Sequence, residues 1–275
     1  NDDGGFGEPG DQDIIKCGSY TGNGNADGPD VTLGFELQWL IVKNASANST
    51  NWEMLDVMRG MFNDGASTDA RIRANANAAE ASSDFAHPTP TGFKVTSDGS
   101  NMNGNGNTMI YMAIRRGGMQ TPTAASSVFG MEDYNSGGSG PVTGIVTDFS
   151  IVRDRDADAA NYAATRILGK RYLTPMLNSA EASSNGAIHD RMDGAWGTGF
   201  AGYMIWGWQR ARGYFDAVAY SGTGSGAQNV SHNLGVVPEM MWIKVRSDTD
   251  NWTVYHSALG NTKRLLLNSS DAVSS

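Results

Sequence analysis

The chain repeats itself, and that repetition constrains its fold more than any other feature. The segment SYTGNGNADGPDVTLGFELQWLIVK from Ser19 is echoed by YSGTGSGAQNVSHNLGVVPEMMWIK from Tyr220. An Asn-aromatic pair, Asn51-Trp52 and Asn251-Trp252, has a middle counterpart in Asn161-Tyr162, at spacings of 110 and 90 residues. A short apolar run with a cation near its end precedes each pair: Trp39 to Lys43, Phe149 to Arg153 and Met241 to Lys244. A glycine follows at Gly60, Gly169 or Gly260, and RANANAAEA, TPMLNSAEA and LLLNSSDAV overlay so that Asn77, Asn178 and Asn268 coincide. Repeats of roughly one hundred residues match the size of a compact domain. A repeated scaffold argues for assembly or binding before catalysis.

The first two copies close alike, with MIYMAIRR from Met109 and YMIWGWQR from Tyr203, whereas the third reaches Ser275 before any such segment. The expected organisation is a linker or the end of a preceding domain over 1–12, a first repeat over 13–118, a divergent second over 119–213 and the start of a third over 214–275. With no initiator Met at Asn1, the chain reads as a piece of a longer polypeptide.

Large side chains alternate or run continuously over few residues in Met109 to Ile114 and Tyr203 to Trp208, which predicts strands. Glycine, 35 residues in all, clusters with Asn, Ser and Asp in stretches such as 101–107 and 136–140, which read as turns and exposed loops. Helical patterns are confined to Ala157 to Leu168 and Asn75 to Ser83. The fold class that follows is all-β, built of tandem β-sandwich-like repeats with Gly/Asn-rich loops and minor short helices.

Seven tryptophans are either core or exposed binding platforms. Trp52 and Trp252 recur in register, as expected of a packing position, and Trp206 and Trp208 share one strand face, expected to be the buried one. Trp196, in the loop-like AWGTG, is the candidate ligand-binding aromatic. The densest acidic run, Asp154, Asp156 and Asp158, has an alternating spacing able to wrap a hard cation and is the candidate metal site. It lacks the calcium-hand glycine and glutamate, with Ala159 and Thr165 at those positions. A solvated hairpin tip is the plainer reading.

His87, His189, His232 and His256 are scattered, and none sits in a known catalytic motif. By offset, His256 corresponds to Asp56 and Arg166, a variation that a catalytic base shared between copies would not tolerate. The four are therefore expected at the surface or in loops. No enzymatic activity and no cofactor are expected. A net charge of −9 with a pI near 4.8 opposes nucleic-acid binding, and no apolar run is long enough to span a bilayer as a helix. The single cysteine, Cys17, has no intrachain partner for a disulfide.

These residues carry a resemblance. SYTGNGNADGPDVTLGF with its following IVK and NW, then MIYMAIRRG, and later VAYSGTGSGAQNVSHNLGVVPEMMWIK with NW and YH, resemble the tandem modules of large structural proteins in marine tailed bacteriophages. The resemblance implies a virion-surface component, most simply a homotrimeric tail fibre or related appendage that contacts other virion proteins and a host-surface glycan or protein, assembled in the host cytoplasm. It supplies no catalytic motif to carry over. A capsid- or neck-attached decoration protein and the carbohydrate-binding part of a depolymerase are the alternatives.

Overall fold

A computed structural model of the protein describes residues 14–61, 69–116, 121–134, 141–184, 189, 193–194 and 202–274. The fold is all-β, with several antiparallel sheets and only short helical turns. It divides into two units, the first comprising residues 1–120 and 218–233, the second 121–217 and 234–275.

In the first unit, β1 (Ile15–Thr21), β3 (Leu37–Asn44), β4 (Trp52–Asp56), β5 (Asp69–Arg73), β6 (Ala81–Ser83) and β9 (Thr108–Arg115) form one sheet in the order β1-β9-β3-β4-β5-β6. The period of two in each strand directs one row inward. In β9, Met109, Tyr111 and Ala113 are buried while Ile110 is exposed. A smaller sheet of β2 (Asp30–Thr32), β7 (Ala86–Thr89) and β8 (Gly92–Val95), ordered β2-β8-β7, shares the core with it. Val31, Ala86, Phe93 and Val95 pack in one cluster with Leu40, Val42, Leu55 and Tyr111, the sandwich-like layering that the alternation implies.

Glycine and asparagine close one end of that core. The single helical turn α1 (Ser100–Asn103) presents a buried Asn103, whose side-chain amide donates to Asn23 Oδ1 (2.9 Å), Asn25 O (2.8 Å) and Ser97 O (2.8 Å) while its Oδ1 accepts from Asn23 N (2.7 Å). A Cβ at Gly22 would overlap the Gly104 carbonyl oxygen, so the GNGN sequences on both sides exist to let two backbones touch. The 101–107 stretch is therefore a packed closure rather than a free loop.

The second unit rebuilds the larger sheet. Strands β10 (Phe129–Tyr134), β11 (Phe149–Asp154), β12 (Asn161–Thr165), β13 (Arg171–Leu173), β14 (Ala182–Ser183) and β15 (Tyr203–Trp208) take the order β10-β15-β11-β12-β13-β14, strand for strand that of the first sheet. The unit also contains β16 (Met240–Ile243), β17 (Thr253–His256) and β18 (Leu265–Leu266), ordered β16-β17-β18, the counterpart of β3-β4-β5 alone. The third copy thus clusters with the second, while its opening segment, 218–233, clusters with the first unit and forms no named strand. Tyr20 is 9% exposed and its counterpart Tyr220 48%; Val42 is fully buried and Ile243 39% exposed.

Both expected helices are strand or loop instead. Residues 161–165 form β12, followed by one 3-10 turn at Arg166–Leu168, and residues 75–80 are loop before β6. Alanine is the best helix former, but intrinsic propensity is a small term, and ladder pairing on both sides of β12 outweighs it. The middle repeat is also slipped by one residue. Val42 pairs with Glu53 and Tyr111, whereas Val152 pairs with Tyr162 and Ile205, so Tyr162 takes the place of Glu53 and Asn161 that of Trp52. With that register, Gly60, Gly169 and Gly260 all fall eight residues after the residue at the Trp52 position, namely Trp52, Asn161 and Trp252. The residue matching His256 is accordingly Thr165.

Candidate functional site

The alternation in β15 puts Ile205 and Gly207 in the core, so Trp206 and Trp208 lie half-buried on the opposite, outer face, contrary to the expectation from sequence. There Trp208 stacks edge-on with Phe129 (centroids 5.1 Å apart) and beside Phe149 (5.4 Å), and Phe149 meets Phe215 (5.6 Å). On the same face Trp252 of the third copy is 5% exposed, clustered with Ala163 and Leu173 and flanked by Phe149, Ile151 and Leu267. Its indole N–H donates to the Thr174 carbonyl (3.2 Å).

Polar contacts extend this junction between copies. Arg246 Nε donates to Glu181 (2.8 Å), the Glu181 amide donates to Arg246 O (2.8 Å), and the Asp250 amide to Asn178 O (2.9 Å). Trp252 is set by a clamp in which its amide donates to Asn268 Oδ1 (3.0 Å) and Asn268 Nδ2 donates to Asn251 Oδ1 (2.8 Å). The first copy has the same clamp, from Trp52 N to Asn75 Oδ1 (3.0 Å) and from Asn75 Nδ2 to Asn51 Oδ1 (3.2 Å). The counterpart of Asn268 is thus Asn75 rather than Asn77, and Trp52 above this clamp is 37% exposed.

Asp154 ends β11, and Asp156 and Asp158 lie on the turn that follows it, where Asp154 Oδ1 accepts the Asp156 amide (2.9 Å). Among the described residues these three do not converge as metal ligands; the one group of that kind is Asp69, Asp84 and His87, with ligand atoms within 4.8 Å of one another. Sequence gave no hint of it, because the three lie on different elements at no ligand-like spacing. Asp69 is fully buried, and its Oδ2 accepts the Phe85 (2.7 Å) and Ala86 (3.0 Å) amides, while His87 Nε2 lies 3.2 Å from Asp84 Oδ1. Burial pushes the Asp84 carboxyl up, but hydrogen bonds from His87 and Thr96 and the His87 charge outweigh it and hold the group below the ordinary carboxylate range. The donors already engaged make this a clasp joining β5 to β7. Trp196 lies outside the described residues.

Of the four histidines, His232 and His256 are exposed as expected, His87 is half-buried on β7, and His189 departs from the expectation. His189 is 2% exposed and shares a 3.0 Å hydrogen bond with Ser150 Oγ, itself fully buried. A hydroxyl–imidazole pair is the raw material of nucleophilic catalysis. Here both groups are buried, beside the buried Asp148–Arg166 pair. Another buried charge cluster joins Glu53 to Arg71 (2.5 Å), Arg73 (3.4 Å) and Asn101 (2.6 Å). His256 Nδ1 accepts the Ala258 amide (3.1 Å), capping the turn after β17.

Residues 12–116 and 197–275, more than half of the chain, match a family described as a domain of unknown function, DUF7483. The chain belongs to the DUF7483 family. The DUF7483 match covers the whole first sheet and the strands β15 to β18, but stops short of 117–196, where the strand order of the first sheet is nonetheless repeated. No curated protein and no solved structure matches the chain.

Proposed function

We propose that this DUF7483 chain is a structural component of a bacteriophage virion, a segment of a tail fibre or related appendage that takes part in attachment to the host surface. The observation that carries the reading is the serial construction: one six-stranded sheet order occurs twice, and three of its four inner strands a third time. Trp252 and Arg246 join consecutive copies to each other. Such modules extend a shaft by addition, and their loops serve as contact surfaces. The resemblance to tandem modules of marine phage structural proteins supports the same role.

Cryo-electron microscopy of the native particle tests this reading. Density for the chain in a tail-attached appendage is the expected result. Density on the capsid or neck would replace it with a decoration role, and absence from the particle would end it.

A further inference from the structure

The outer faces of the two large sheets carry matching rows. Across the first sheet, Cys17, Met112, Ile41, Met54 and Ile72 are successive ladder partners. Across the second, the same positions are Met131, Trp206, Ile151, Ala163 and Leu173. Part of the second row is covered, because Trp252 and Leu267 of the next copy sit on Ile151, Ala163 and Leu173. Its counterpart on the first sheet, Ile41, Met54 and Ile72, is half-buried, and beside it on the same face Ile15, Ile110 and Trp52 are 45%, 39% and 37% exposed and Cys17 is exposed. An apolar face of this extent on a chain of net charge −9 marks an interaction surface.

We propose that the outer face of the first sheet binds the same face of a second copy of this chain, with Trp52 of one copy seated over the Ile41–Met54–Ile72 row of the other. The second unit supplies the precedent. There Trp252, the counterpart of Trp52 and held by the same asparagine clamp, buries its ring on the counterpart of that row. In that junction the contributing groups of both copies are outer-face residues, so the contact is face to face. On the first sheet one face carries both the ring, Trp52, and the row, so each of two identical copies can supply both parts to the other. The inference rests on the repeat geometry and holds for an appendage or for any other assembly of this chain.

Analytical ultracentrifugation of the full chain tests it, with Met54→Glu and Ile110→Glu on the face and Val237→Glu, at an 85% exposed position of the other unit, as control. The wild type is expected to self-associate reversibly at micromolar concentration. Either face variant should raise the dissociation constant roughly tenfold or more with little change in thermal midpoint, while the control associates like the wild type. Ile110→Glu, at the more exposed site, keeps the test decisive if Met54→Glu fails to fold. A monomeric wild type, or association unchanged by both face variants, would overturn the proposal. Labelling the lone Cys17 with a bulky maleimide gives a second readout: weakened association supports the face, and unaltered association counts against it. Failure here would leave the particle location untouched, so the two readings fall separately.

Discussion

Gly22 and Gly222 occupy the same place in the first and third copies, yet the structure gives them different duties. A Cβ at Gly22 would overlap the Gly104 carbonyl oxygen, whereas one at Gly222 meets nothing within 4 Å. Gly22→Ala is therefore expected to cost about 1–3 kcal/mol through forced backbone movement, and Gly222→Ala to be neutral or slightly stabilising. Urea unfolding of the two variants measures this, and equal effects would refute the closure described for Asn103. At the Asp84 clasp the sign follows from the direction of its shift. A carboxyl held below its unfolded value adds stability above that value and loses it as the pH falls through the folded one. The urea midpoint of the wild type should thus drop as the pH falls below about 5, with the drop smaller in Asp84→Asn.

At the scale of the strand, β16 has one paired edge where β3 and β11 have two. Its Met241 and Ile243 stand 39% exposed at positions where Leu40 and Val42 are fully buried. Amides of β16 to β18 are expected to exchange faster than those of β3 and β9 by at least about tenfold, measurable by hydrogen exchange with mass spectrometry. Strands β9 and β15 were legible in the sequence because their alternation is local. The helical pattern over 157–168 misled because alanine is tolerated in a strand whose partners supply the stability. The one-residue slip at Asn161 was hidden for a related reason: an Asn-aromatic pair is a local signal, while register is set by the ladder across β11 and β15. The outer position of Trp206 and Trp208 was readable as a shared face, but which face meets the core depends on Ile205 and Gly207 between them. The Asp69–Asp84–His87 clasp had no sequence signal, since only the fold brings those residues together.

At the scale of the molecule, one sheet order has been kept where sequence similarity fades, since 117–196 lies outside the family match but holds most of the second sheet. What the copies share is the inward row and the glycine that ends the turn after the fourth strand; what differs is the outward row, smaller at Ala163 than at Met54 and covered by Trp252. The Trp252 ring and the Ala163 on which it sits both lie within the second unit, so removal of the ring acts on that unit. Trp252→Ala deletes a ring that is 5% exposed together with its hydrogen bond to Thr174, and should cost about 3–5 kcal/mol. Trp52→Ala, at a position 37% exposed, should cost less than about 1.5 kcal/mol in dilute solution. Hydrogen exchange locates each loss: Trp252→Ala should lower protection in β12, β13 and β17 while β3 and β9 keep theirs. Equal destabilisation by the two substitutions would mean that Trp52 is already covered within the single chain, which would remove the basis for a face open to a second copy.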